Sequence, residues 1–133
     1  MVPMVVDTSA LLAVLLLEED AAAYAEALGT ATALRMAAPT WLETAMVVTV
    51  RCGDTGYREL TRFIDDLRIE IVPADQLLAE QAFEGWRRYG KGRHPAGLNY
   101  GDCFSYALAK QRNERLLFKG DDFSLTDVIP VLG

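Results

Sequence analysis

The chain predicts an α/β domain: a central parallel sheet with helices on both faces. Three observations point there. Short apolar runs alternate with longer segments of helical periodicity along the whole length. Of its 133 residues, 51% are hydrophobic, enough for one buried core and too many for disorder. Acidic residues also recur where apolar runs give way to helices or turns, at Asp7, Glu43, Asp102 and the pair Asp121/Asp122.

Taken in order, residues 3–7 read as a buried first strand. Residues 9–17 are apolar all round and predict a buried helix that runs into the turn Glu18-Glu19-Asp20. Residues 20–29 form a second helix, with Gly29 as its C-terminal cap. A short strand over residues 34–39 stops at Pro39. From Thr40 to Cys52, Leu42, Met46, Val47 and Val50 recur at helical spacing. The β-branched content makes a strand the rival reading, and length favours helix. Gly53–Gly56 reads as a turn, residues 57–67 as a helix, and residues 68–73 as a strand. Asp75 caps a helix over 76–89. The loop 90–99 follows, then a helix over 100–113, a strand over 115–119, a turn over 120–123 and a last short strand over 128–132.

Two cysteines, Cys52 and Cys103, give no disulfide framework. Both fall among apolar residues, so buried free thiols in a reducing, cytoplasmic setting are expected. The apolar run of residues 10–17 is too short to span a bilayer and lacks the basic flank of an export signal. The net charge of −6 argues against nonspecific nucleic-acid binding. Residues 86–94 nevertheless hold Arg87, Arg88, Lys91 and Arg93 with no acid among them.

Each acid has a structural reading. Asp7 can cap the first helix, and Thr40 with Glu43 fits a capping box, as does Asn99 with Asp102. Asp121 and Asp122 suit a turn. Together they suggest more. Ligands collect beyond the carboxyl ends of parallel strands, and two carboxylates ~4 Å apart there repel by about 4 kcal/mol at an effective dielectric of 20. Such a cluster is protonated in part or neutralised by a cation. Oxygen ligands with a single histidine in the chain, His94, favour Mg²⁺ or Mn²⁺ over Zn²⁺. Such a site hydrolyses phosphodiesters without a nucleophilic side chain. No Gly-x-Ser-x-Gly elbow, phosphate-binding Walker loop or zinc pattern competes with it.

Four segments, VVDTSALLA, PTWLETAMV, GLNYGDCFSYALAK and LLFKGDDFSLTDV, carry a resemblance that spans the chain. It resembles a PIN-domain ribonuclease, in particular a VapC-type toxin of a toxin–antitoxin pair. The resemblance implies a single three-layer α/β/α PIN domain over residues 1–133, Mg²⁺- or Mn²⁺-dependent endoribonuclease activity, a homodimer and a VapB-like antitoxin. Asp7, Glu43 and Asp102 match the family's acids, with Asp7 and Asp102 the safest metal ligands, and Ser9 matches a hydroxyl behind the metal. Asp122 matches the fourth acid, although the chain reads Lys-Gly-Asp-Asp where many members have Thr-x-Asp, so Asp121 stays an alternative.

Arg87, Arg88, Lys91 and Arg93, interleaved with Trp86 and Tyr89, are expected to hold RNA phosphates and stack bases. The rival is a solvated face with Trp86 in the core. His94 suits a surface or phosphate contact. Two other functions use a similar fold: a receiver-type signalling domain, with Lys119 beside the acids, and an inert binding module. The receiver would need paired acids after the first strand, where Asp7 is followed by Thr8.

Overall fold

Met4, Val5 and Val6 are almost completely buried, which requires protein on both faces of the strand that carries them. The computed structural model, which describes residues 2–132, provides it. The elements run β1 (Pro3–Val6), α1 (Thr8–Leu15), α2 (Ala21–Thr30), β2 (Ala33–Ala37), α3 (Ala38–Leu67), β3 (Glu70–Val72), α4 (Gln76–Tyr89), α5 (Tyr100–Arg112) and β4 (Arg115–Leu117). A short 3-10 helix, Asp122–Leu125, follows. The four strands are all parallel, in the order β3-β2-β1-β4.

Alternation along each strand divides the core in two. Met4, Val6, Leu34, Met36 and Leu117 pack with residues of α1, α2 and α3. Val5, Ala37, Val72 and Leu116 pack with residues of α4 and α5 on the other side. The result is the three-layer α/β/α arrangement. β1 lies inside the sheet, so its carboxyl end, where Asp7 follows, faces the crevice where strand ends and helix starts meet.

Several local expectations differ from the structure. Gly29 lies inside α2, and extended Ala31 caps it. Leu17 turns out of the apolar run at φ 52° and is 84% exposed, so that run is not buried throughout. The expected turn over Gly53–Gly56 shrinks to a kink within α3: Gly53 alone is non-helical, at φ 65° and ψ −158°, a conformation open to glycine and strained for other residues. Cys52 is exposed; Cys103 is buried. The last strand reduces to an isolated parallel bridge between Leu116 and Pro130, framed by Leu116 N donating to Ile129 O and Val131 N to Leu116 O. No helix is long and apolar enough to cross a membrane among the described residues.

Candidate active site

Tyrosines aside, the polar and charged residues that are buried as a whole among the described residues lie in one place. Asp7, Thr8, Thr40, Thr44 and Ser105 form a connected group at the carboxyl end of β1. Buried hydroxyls and carboxylates are costly unless hydrogen-bonded, and these are. Ser105 Oγ donates to Asp7 Oδ1 at 2.5 Å, and Ser9 holds Oδ2 through its hydroxyl at 2.7 Å and its backbone N–H at 3.1 Å. Asp7 is therefore the N-cap of α1, as its position suggests, and is gripped at both oxygens. Ser9 Oγ in turn accepts from the backbone N–H of Lys119 at 2.9 Å, tying the exit of β4 to the same carboxylate.

Glu43 joins from α3. Pro39 starts that helix early, so its N-cap is Ala37, without a side-chain bond, and the capping box of Thr40 and Glu43 does not form. Glu43 is thereby free to face Asp7, and Thr8 Oγ1 lies 3.0 Å from its Oε1. Thr44 Oγ1 donates to Thr8 Oγ1 at 3.0 Å and lies 2.9 Å from Thr40 O, while Thr40 Oγ1 sits 3.4 Å from Ser105 Oγ. Burial raises the Glu43 carboxyl above its ordinary value; the Thr8 hydrogen bond opposes this, and the charge of Asp7 adds to it.

Asp102 joins from α5. The capping box with Asn99 is complete: Asp102 N donates to Asn99 Oδ1 at 2.8 Å, and Asn99 N to Asp102 Oδ2 at 3.1 Å. Burial pushes the Asp102 carboxyl up to about 7, the Asn99 N–H opposes the rise, and Asp7 and Asp122 add to it. Asp122, the first residue of the 3-10 helix, is close enough for its charge to raise the Asp102 carboxyl. Asp121 precedes that helix, and its carbonyl accepts from the N–H and hydroxyl of Ser124. Asp122 rather than Asp121 thus stands beside Asp102.

The structure so brings Asp7, Glu43, Asp102 and Asp122 into one electrostatic neighbourhood. Among the described residues, no three Asp, Glu, His or Cys side chains are arranged to hold one ion as they stand. Asp7 and Glu43 face hydroxyl donors, the arrangement that best relieves their mutual repulsion. The donor set itself fits a hard divalent cation: carboxylate oxygens only, one of them on an acid whose proton affinity is raised by burial and then by its acidic neighbours.

Sequence reasoning passed over Ser105, Thr44 and Gly101, and read Thr8 and Thr40 only as helix-start residues. A Cβ on Gly101 would lie 2.6 Å from Glu43 Oε1, so α5 can approach the glutamate only with glycine there. Because the obstructing atoms end a flexible side chain, Gly101→Ala should displace Glu43 and leave the fold intact. We expect a ~10²-fold loss of activity, as for other small misplacements of reacting groups. A melting temperature that falls along with the activity would point to a packing defect instead.

The basic segment divides. Arg88 turns to Asp127 at 3.5 Å and to the hydroxyls of Tyr106 and Tyr89, a structural position and not a free cation. Arg93 lies over Trp86 at 4.8 Å and donates to Arg87 O; Arg87 lies over Phe83 at 5.9 Å. Lys91 lines an apolar cavity between α4 and α5. Trp86 is 36% exposed, at the surface and not in the core. His94 Nδ1 accepts from Ala96 N, which shapes the loop. Lys119 is held by Glu18 at 2.6 Å and Asp20 at 2.9 Å, so its ammonium is not the one a receiver domain would aim at its acids.

Comparison with known proteins agrees with this geometry. The family model described as PIN domain matches residues 4–129. The chain is 49% identical to Ribonuclease VapC of Mycolicibacterium smegmatis over 96% of its own length and 99% of the relative's. Among solved structures it superposes on Mycobacterium tuberculosis VapC20, described as a sarcin-ricin loop cleaving toxin, with TM-score 0.79 and 17% identity over 95% of this chain and 96% of that one. It also superposes on VapBC2 of Rickettsia felis, solved bound to promoter DNA, with TM-score 0.74 and 13% identity over 98% and 96%. A family match over nearly the whole chain and a relative sharing almost half its residues lead to one conclusion: the chain belongs to the PIN-domain family and, within it, to the VapC ribonucleases.

Proposed function

We propose that this chain is the toxin of a VapBC-type toxin–antitoxin pair, a single-domain endoribonuclease that hydrolyses RNA phosphodiesters at a Mg²⁺ or Mn²⁺ site formed by Asp7, Glu43, Asp102 and Asp122. The observation that carries the reading is that four buried hydroxyl side chains, Thr8, Thr40, Thr44 and Ser105, gather about Asp7 and Glu43. Such a concentration of buried polarity at one sheet edge is the pattern of a functional site.

RNA phosphate is itself anionic, and this cluster would repel it unless cations intervened. Bound here, a divalent cation supplies electrophilic activation of the phosphate and lowers the pKa of water. The chain's own residues do the rest. Ser105 and Ser9 hold Asp7 rigid, and Asn99 fixes one oxygen of Asp102 while leaving the other free. Glu43, with its raised proton affinity, is placed to take a proton from the attacking water. Lys91 and Arg93 hold the RNA backbone, with Arg87 at the edge. A VapB-like antitoxin and a homodimer complete the reading. Leu42, Met46 and Val50, all exposed along one stripe of α3, offer a surface for one of them.

The test is cleavage of single-stranded RNA with Mg²⁺, with Mn²⁺ and with chelator. Hydrolysis by water should leave 5′-phosphate and 3′-hydroxyl ends and stop in chelator. Ends carrying 2′,3′-cyclic phosphate, or cleavage that persists in chelator, would overturn the metal mechanism.

A further inference from the structure

Beside the acids lies a cavity of about 530 Å³ between α4 and α5, walled by Phe83, Trp86, Tyr100 and Phe104 with Lys91 at its side. Phe104 belongs to the core on that side of the sheet, but the other three rings are not spent on it. Tyr100 is 80% and Phe83 56% exposed. Phe83 stacks on Trp86 at 5.9 Å and 25°, and Tyr100 meets Phe104 edge-on at 5.2 Å. The cavity also joins the acid cluster. Asn99 lines it while capping Asp102, and Tyr100 is separated from Asp102 only by Gly101, the residue that touches Glu43.

Its charge is the second observation. In a chain of net charge −6, three cations meet at this one apolar recess: Lys91 in its wall, Arg93 over Trp86 and Arg87 over Phe83. Arg87 has a partner in Glu84 at 3.8 Å, but that pair is exposed on both sides and weakly held. Apolar walls ringed by cations suit a nucleotide, because its base is a flat apolar face and its phosphate an anion.

The geometry points to a nucleobase site: the cavity takes a base of the RNA strand next to the phosphate held at the acids, between Phe83 and Trp86 of α4 and Tyr100 of α5, with Lys91 and Arg93 on the adjoining phosphates. This rests on the nuclease reading and adds the element that selects where the strand is cut. Asn99 at the rim is the group nearest the acids able to read a base edge.

The experiment uses the full chain and the variants Phe83→Ser, Tyr100→Ser and Lys91→Gln, with Leu17→Ser, in the exposed turn after α1, as control. Each is assayed on a pool of single-stranded RNA of random sequence, with cut positions read by sequencing, and on one cleaved oligonucleotide for kcat and KM. Phe83→Ser and Tyr100→Ser should flatten the base preference at the cut and raise KM about 10-fold, within the usual range for a stacked base, with kcat changed less than about 3-fold. Lys91→Gln should raise KM and leave the preference in place, and Leu17→Ser should match the parent. In the non-cleaving Asp102→Asn background, the same oligonucleotide should quench tryptophan fluorescence, and Tyr100→Ser should weaken that binding by a similar factor. Unchanged preference and KM in both serine variants would overturn the site. A change of mass in light scattering with preference intact would assign the surface to a protein contact instead. A parent chain that cuts no RNA would defeat the nuclease reading itself, and this inference with it.

Discussion

Asp7→Asn and Asp102→Asn should each fold and cut RNA at least ~10³-fold more slowly than the parent. Removing a single electrostatic contact from a reacting centre commonly costs 10²–10³-fold, and here the lost charge would also weaken the hold on the cation. The folds should survive because asparagine has the shape of aspartate. At position 102 the amide oxygen can still accept from Asn99 N, preserving the capping box. At position 7 the hydroxyl of Ser105 can rotate from donating to accepting. Single-turnover cleavage beside circular dichroism separates the effects. Near-parental cleavage in either folded variant would remove that residue from the site.

Without divalent metal, the protein should lose stability as pH rises from about 4 to about 7. The proton on Asp102 is held more tightly in the folded state, up to about 7 against 3.8. Between those values the folded protein binds more protons than the unfolded chain, and stability falls with rising pH. An unscreened carboxyl so placed would account for ~4 kcal/mol, and solvent around the partly exposed side chain reduces this to about 2 kcal/mol. Glu43, raised by burial, acts in the same direction. Asp127 works against it only at the acid end. Burial would raise its carboxyl, but hydrogen bonds from Tyr106 and Lys110 prevail and lower it, so its contribution is lost as pH falls and lies outside the window. Urea melts in chelator at pH 5 to 8 measure the slope, and Asp102→Asn should flatten most of it and be the more stable protein at pH 8. Added Mn²⁺ should reverse the slope, because it binds the ionised acids of the folded state alone. A metal-free stability that rises through this window would contradict the placement of Asp102.

What the sequence made legible follows from how local each feature is. The run Met4–Val6 ending in Asp7, the cap at Asp75 and the paired spacing of Asn99 and Asp102 each involve neighbours a few residues apart, and each formed as read. The start of α3 was misread because Thr40 and Glu43 match a cap, whereas Pro39 one residue earlier already suits a first helical turn. The last strand was read from β-branched residues that in the fold make only a bridge. The bond from Ser105 to Asp7 spans 98 residues. Ser105 sits one turn after Asp102, on an otherwise apolar face of α5, and a buried serine there was the one available sign of it. The contact of Gly101 with Glu43 had no such sign, since only the packing of two helices creates it.

The capping box at Asn99 and Asp102 gives one carboxylate two employments, starting a helix and, in the proposed function, arming a site. Random change at that codon is therefore filtered twice. Most replacements would leave Asn99 N without its side-chain partner and loosen the amino end of α5. Asparagine keeps the helix start while discarding the charge. A lineage that retains this fold for some purpose other than cutting RNA has a narrow gate through which to pass, and the residue left behind at position 102 would record the passage.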